Sequence, residues 1–396
     1  MNQEQKNSFL ETAREHVGNI REDIQQSLVD TREQLINGKE EFKTLSPSDQ
    51  VTQMVLLKYS EKREEELEHL YPSPYFVRCD VLMEGEQSPR SLYFAKFPLS
   101  EREIYSWTAP VAAIRFEPIG KVTYVLPDGS RQNGELLRRD QYMIVDGKIV
   151  FLSAESLGVP RELVYQEHFS SRKQGFVLPE IVAQMEKAQD QVIRAHHVGP
   201  FVISGPAGSG KTTLALHRVA YLVQSPDTAQ LYTPQSILVL VQGTGTKEYF
   251  SRLLPELGIH DVEISTFAEW AFSVLNIKGV EYVGHYGKTE ALRDEYEYAK
   301  LEALRKRDIP GNRLRPFDFL ERVYLESFDT GQAQLWKQQK KEKVMDRTDL
   351  TLLLLAERAR QGDLGVVREY YVEQKNGRLK KRVGRVAFEY SLVVVD

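Results

Sequence analysis

Cysteine is almost missing: of 396 residues only Cys79 carries a thiol. That excludes an internal disulfide framework and a cysteine-ligated zinc site, and it suits a reducing, cytoplasmic setting. Long apolar runs are missing too. No stretch approaches the roughly 20 residues a membrane-spanning helix needs, and the start, Met1–Lys6, has no signal-peptide character, so no membrane partner is expected. An excess of positive charge is also absent. At a net charge of −5 the chain has no overall basic field of the kind that coats nucleic acid. Contact with DNA is then expected from a local patch, or the main partner is a protein. What remains is 41% hydrophobic and 28% charged, long enough for two or three domains with their own cores.

Glycine is scarce over residues 1–70, and Leu10, Ala13, Val17, Ile20, Ile24, Leu28, Thr31 and Leu35 recur at steps of three and four. That spacing predicts a long helix with a heptad-like, coiled-coil stripe, spanning about 60 Å if it holds ~40 residues. The break at Ser46–Asp49 supplies caps for a second helix to Leu70. An antiparallel hairpin projecting as an arm is expected, the alternative being a pair lying flat on the body. Residues 71–155 then read as a small antiparallel β module. Its runs are Tyr75–Leu82, Ser91–Ala95, Val111–Phe116, Lys121–Val125, Tyr142–Val145 and Lys148–Leu152, with a turn signal at Asp146 and Gly147.

The chemistry is concentrated at residues 201–213. An apolar run, Phe201–Ser204, leads into Gly205, Pro206, Ala207, Gly208, Ser209, Gly210, Lys211, Thr212 and Thr213, and then into an amphipathic stretch to Val223. Strand, glycine-rich loop and helix at this spacing match a P-loop. Glycine-rich turns also occur in ordinary α/β loops, but the flanking strand and helix patterns select a nucleotide site. The glycines let backbone N–H groups close on a polyphosphate at a helix N-terminus. Lys211 would neutralise the β- and γ-phosphates, and Thr212 would offer its hydroxyl to Mg²⁺. The pattern does not choose among kinase, GTPase, transporter ATPase and helicase. Residues 155–200 read as helical, with an amphipathic segment over Glu180–Ala195. Within it Gln189, sixteen residues before Gly205, could read an adenine edge or be an ordinary surface glutamine.

Beyond the loop, Ser236–Val241 suits a buried parallel strand, and Val262–Phe267 opens a further strand and helix. The alternation predicts a doubly wound parallel sheet. Residues 280–345 interrupt it as a charged helical insertion carrying Arg305, Arg307, Arg313, Arg315 and the run Lys337–Lys343. Such charges mark a solvated helix face or a nucleic-acid or polymerase contact. The final run, Phe388–Asp396, has the form of an apolar strand ending in a magnesium-shell Asp. An end at a buried central strand is unfavourable, so a longer polypeptide is expected. The expected division is 1–70, 71–155, 156–279, 280–345 and 346–396.

With these motifs placed, the chain resembles superfamily 1 helicases of the UvrD/Rep type, and most closely the HelD family of RNA polymerase-associated ATPases. Gly205–Thr213 with His217–Leu222 resembles the first helicase motif, Gln189 the adenine-reading glutamine, and Leu253–Gly258 with Ser265–Phe267 the segments around motifs Ia and Ib. Leu392–Asp396 resembles the start of the Asp-Glu motif. Ser73–Phe76, Tyr105–Pro110 and Leu137–Tyr142 resemble signatures particular to HelD. The sequence departs from the family at Thr108, where the pattern has Arg, and at Gln242–Thr246, where motif Ia has Pro-Asn or Thr-Asn. The resemblance implies a RecA-like core, incomplete here, that binds ATP and Mg²⁺ through Lys211, Thr212 and Asp396. It also implies hydrolysis in the full-length parent, and remodelling of RNA polymerase by the hairpin and the insertion. Turnover by the 396-residue chain itself is expected to be essentially nil, since the Glu after Asp396 and a second RecA-like domain are not in it. Two rival readings stay open, a DNA helicase or single-strand translocase and a non-catalytic polymerase-binding module.

Overall fold

The computed structural model describes residues 3–126, 128–156, 159–166, 185–287, 289–305, 314–373 and 379–396. The chain divides into two units, Met1–Pro234 with Phe250–Asp261, and Gln235–Tyr249 with Val262–Asp396.

The first unit begins with α1 (Gln3–Phe42) and α2 (Pro47–Leu70). Every residue of the apolar stripe from Leu10 to Leu35 is buried, which is what holds so long a helix in place. The Ser46 hydroxyl accepts the Asp49 amide and Pro47 opens α2, pre-set for a first turn. The helices run antiparallel, with Arg32 on Glu64 and Glu68, and Lys39 on Glu61. The projecting arm expected from the sequence is found only near the turn. From Leu10 to Leu28, α1 lies on the sheet described next and shares a core with Leu67, Leu70, Tyr75, Phe97, Tyr142 and Leu152. The reason is length: α2 has 24 residues against the 40 of α1, and a stripe that long needs a second cover. Toward the turn Ile36, Val51, Met54, Val55, Leu56 and Tyr59 are exposed.

The sheet holds β1 (Val77–Met83), β2 (Arg90–Ala95), β3 (Ile104–Ser106), β4 (Gly120–Val125), β5 (Arg131–Val145), β6 (Lys148–Ser156) and β7 (Val159–Gln166). Its order is β3-β2-β1-β5-β6-β7, with β4 also on β5. Every pairing is antiparallel except β2–β3. Asp146 and Gly147, both at positive φ, form the two-residue turn between β5 and β6. Two expectations fail. Val111–Phe116 is not a strand but part of a 3₁₀ stretch, Pro110–Phe116; Pro110 fixes φ at its first position and its buried residues, Ala112, Ile114 and Arg115, do not alternate. And β7 lies where a helix was expected. Its composition, with Val159, Val164 and Tyr165, suits a strand, and it pairs with β6 at a sheet edge, where Pro160 is tolerated. The unit also contains α3 (Lys187–Ile193) and α4 (Lys211–Gln224). Of the expected helix over Glu180–Ala195, residues 180–184 lie outside the described residues.

In the second unit β8 (Ile237–Val241) leads to α5 (Thr244–Glu256), which ends in the first unit; β9 (Glu263–Thr266) and α6 (Phe267–Leu275) follow. Then come β10 (Glu281–Tyr282), α7 (Glu290–Arg305), α8 (Pro316–Tyr324), α9 (Thr330–Glu342), β11 (Val344–Met345) and α10 (Arg347–Gln361). A hairpin, β12 (Gly365–Glu373) with β13 (Leu379–Ala387), precedes β14 (Leu392–Val395). β14, β8 and β9 form a three-stranded parallel sheet in that order. β8 is nearly all buried. β14, expected as a buried central strand, is an edge strand with Val393 and Val395 exposed, because among the described residues nothing pairs with its outer side. The helices pack around Trp336, Tyr324, Leu320 and Leu350. Arg307 and Arg313 lie outside the described residues. The fold is mixed α/β with a parallel sheet, and among the described residues no helix is long and apolar enough to cross a membrane.

Candidate nucleotide site

Gly208 and Gly210 sit at φ of 78° and 77°, the left-handed region a side chain rarely tolerates. They fold residues 205–210 into an exposed turn that enters α4 directly, with Gly210 as its N-cap and no side chain capping it. The first-turn amides of a helix have no partner inside it, so this end of α4 favours an anion. Lys211 and Thr212 are the first two residues of α4. The Lys211 ammonium donates to the Pro206 carbonyl at 2.8 Å. A Cβ on Gly205 would meet Ser209 Oγ at 2.8 Å. Past the loop α4 is anchored by buried Leu216, Val219, Ala220 and Leu222. The strand expected over Phe201–Ser204 is absent. These residues join no ladder among the described residues, and Val202 is 85% exposed. Apolar character alone does not make a strand without hydrogen-bonding neighbours.

Gln189 lies on α3, which packs along α4 in the same unit. Its side-chain oxygen accepts the Glu186 amide at 3.1 Å in a capping box, which fixes the amide group's orientation. Two arginines hold this helix. Arg194 donates to both carboxylate oxygens of buried Asp190 at 3.0 and 2.8 Å, to the Trp107 carbonyl at 2.6 Å and to the Ala109 carbonyl at 3.2 Å. Arg218, on α4, donates to the carbonyls of Val192, Ile193, Ala195 and His196 at 2.8–3.0 Å. Trp107 and Thr108 are buried, and the Thr108 hydroxyl lies 2.9 Å from Ser106 Oγ. The guanidinium of Arg115, also buried, is 4.0 Å from Asp190, and burial lowers it to about 10. Sequence reasoning missed the roles of Arg194 and Arg218. Apart from Asp190, four residues before Arg194, their targets are backbone carbonyls, which leave no residue-type signature.

In the second unit, Asp396 follows the C-terminal end of β14 and is exposed, its amide donating to the Leu240 carbonyl at 3.0 Å. At the neighbouring end of β9, Thr266 caps α6 while Glu269 accepts from the Thr266 amide and from Lys247 at 2.8 Å. The Lys247 ammonium holds the Glu269 carboxyl below its ordinary value. Among the described residues no group of three or more His, Cys, Asp or Glu side chains gathers to hold a metal.

A family model described as the UvrD/REP helicase N-terminal domain matches residues 185–381, and one described as the N-terminal domain of DNA helicase IV HelD matches residues 4–168. No curated protein matches the chain. With the HelD domain preceding the UvrD/REP domain, the chain belongs to the UvrD-like helicases of the HelD type.

Proposed function

We propose that the chain is the ATP-binding part of a superfamily 1 motor that uses Mg-ATP to remodel RNA polymerase–nucleic acid complexes. The observation that carries this reading is the glycine turn delivering Lys211 and Thr212 to the uncapped N-terminus of α4. A bound triphosphate would take the Lys211 ammonium from the Pro206 carbonyl, exchanging a neutral acceptor for a charged one. Thr212 in the first unit and Asp396 in the second are each assigned an oxygen contact to Mg²⁺, a hard cation that takes oxygen ligands. Mg²⁺ carried on the nucleotide would neutralise charge on the transferring phosphoryl group. Gln189 is assigned to the adenine edge. The parallel strands β8, β9 and β14 are assigned to a RecA-like core, the hairpin 1–70 to an arm on its β base, and 280–345 to an inserted lever. The polymerase as partner is supported by the exposed apolar residues near the hairpin turn, a surface suited to a protein rather than to a phosphate backbone.

The test is calorimetric titration of the chain with Mg-ATP. Wild type is expected to bind, and Lys211→Ala to weaken binding about 10- to 100-fold, the worth of charge-assisted hydrogen bonds to phosphate. Equal affinity in both would overturn the nucleotide site. Capture of purified RNA polymerase by wild type, lost on Val55→Glu with Tyr59→Glu, tests the partner; strong single-stranded DNA binding with no capture would favour the translocase instead.

A further inference from the structure

We propose that Arg194 and Arg218 are positioning residues through which the loop Trp107–Ala109 of the β module sets base selectivity at the nucleotide site. This rests on the nucleotide reading above and deepens it. α3 is only seven residues long, too short to hold its own orientation, yet it carries the residue assigned to the base. Its place is fixed from both sides by guanidinium groups. On one side Arg194 grips Asp190 one turn back and reaches the Trp107 and Ala109 carbonyls. On the other, Arg218 gathers four carbonyls where α3 ends. Arg218 lies on α4 itself, two turns after Lys211. The phosphate-binding helix and the base-reading helix are thereby fastened together, and the β module is fastened to both. The fastening continues toward the loop: the Arg218 guanidinium stacks 4.2 Å over the ring of Phe201, and Arg194 lies 5.2 Å from the Tyr221 ring. A fork of five donors in one plane suits several carbonyls at once, which a lysine ammonium does not.

The consequence is separable from phosphate binding. Phosphates meet the loop and α4, whereas the base is met by a side chain whose aim depends on the clamp. Mg-AMPPNP and Mg-GMPPNP titrated into the whole chain read the two apart. Gln189→Ala and Arg194→Gln are each expected to cut the preference for the adenine nucleotide about tenfold, the worth of one lost hydrogen bond, with the guanine nucleotide changed less than about twofold. Arg194→Lys should fall between wild type and Arg194→Gln. Arg218→Lys, which keeps the charge, should show the same signature and serves if Arg194→Gln loses its thermal unfolding transition. If Gln189→Ala loses the preference and the arginine variants keep it, the inference is overturned. Equal weakening of both nucleotides by the arginine variants overturns it as well, since that reports general loosening. A Gln189→Ala that keeps the preference removes both the inference and the adenine role of Gln189. The effect of Lys211→Ala then still decides the phosphate site independently.

Discussion

Lys300→Met is the perturbation whose cost the structure specifies most fully. The Lys300 ammonium is wholly buried in the second unit and donates to Gln339 at 3.0 Å, Asp346 at 2.6 Å and Asp349 at 3.1 Å. The rings of Tyr296, Tyr324 and Trp336 surround it at 4.6, 5.5 and 5.8 Å. Asp349 further accepts from Tyr324 and Gln339, both at 2.7 Å. One cation thus balances two carboxylates. Methionine fills nearly the same volume, so no cavity opens and the loss is electrostatic. Removing one partner of a buried ion pair costs about 3–5 kcal/mol, which lowers the unfolding temperature of a unit this size by about 10 °C. The deficit depends on pH. Burial and the neighbouring Asp349 raise Asp346 from 3.8 to about 6. A carboxyl raised on folding contributes stability that is complete below 3.8 and is lost as pH rises through about 6, on the order of 2–3 kcal/mol. Without the cation the neutral form is needed more, so the deficit of Lys300→Met is largest above about pH 7 and shrinks toward about pH 5. Adding Asp346→Asn should recover part of it at about pH 7.5. Calorimetric scans of the three proteins at those two pH values decide the matter. A Lys300→Met transition within about 1 kcal/mol of wild type at the higher pH, or an equal deficit at both, refutes the reasoning.

Two shorter predictions concern the first unit. Ile24 is fully buried between α1 and the sheet, so Ile24→Ala should cost about 2–5 kcal/mol in urea unfolding, against under about 1 kcal/mol for Val29→Ala on the exposed side; equal costs would mean that α1 does not lie on the sheet. Cys79 is fully buried and burial pushes its thiol up to about 12, so thiol reagents at about pH 8 should label it only on unfolding. Full labelling of the native chain within minutes would contradict its placement.

How much of this was legible in the sequence depends on which atoms make the contacts. The α1 stripe was legible because burial at steps of three and four is written in side chains. The turn at 205–210 was legible because only glycine adopts its backbone cheaply. The strand expected at 201–204 failed because apolarity carries no information about a ladder partner. Val111–Phe116 and Val159–Gln166 failed because short apolar runs leave helix, 3₁₀ and strand nearly degenerate. In the expected site the sequence gathers Lys211, Thr212 and their glycines from one motif, but Gln189 stands there as a lone glutamine. Only the structure shows that its helix is tied to α4. Lys300 reads as solvated charge in the insertion and Asp346 and Asp349 fall in the segment after it, since nothing in their spacing announces the aromatic rings around Lys300.

In the first unit arginines take a structural part that a chain with a single cysteine cannot give to disulfides. Loops that a secreted domain would fasten with disulfides are fastened in this unit by guanidinium groups on carbonyls. Arg21 holds Tyr71, Arg63 holds Pro98, and Arg139 holds Arg115 and Glu117, in addition to the Arg194 and Arg218 clamps. The two kinds of fastening differ physically. A disulfide acts mainly on the unfolded chain and leaves the native joint covalent, whereas each of these bonds contributes about 1.5–3 kcal/mol at most and can open and reform. Such joints set the carbonyls of α3 and of the Trp107–Ala109 loop at hydrogen-bond distance and need no oxidant to form.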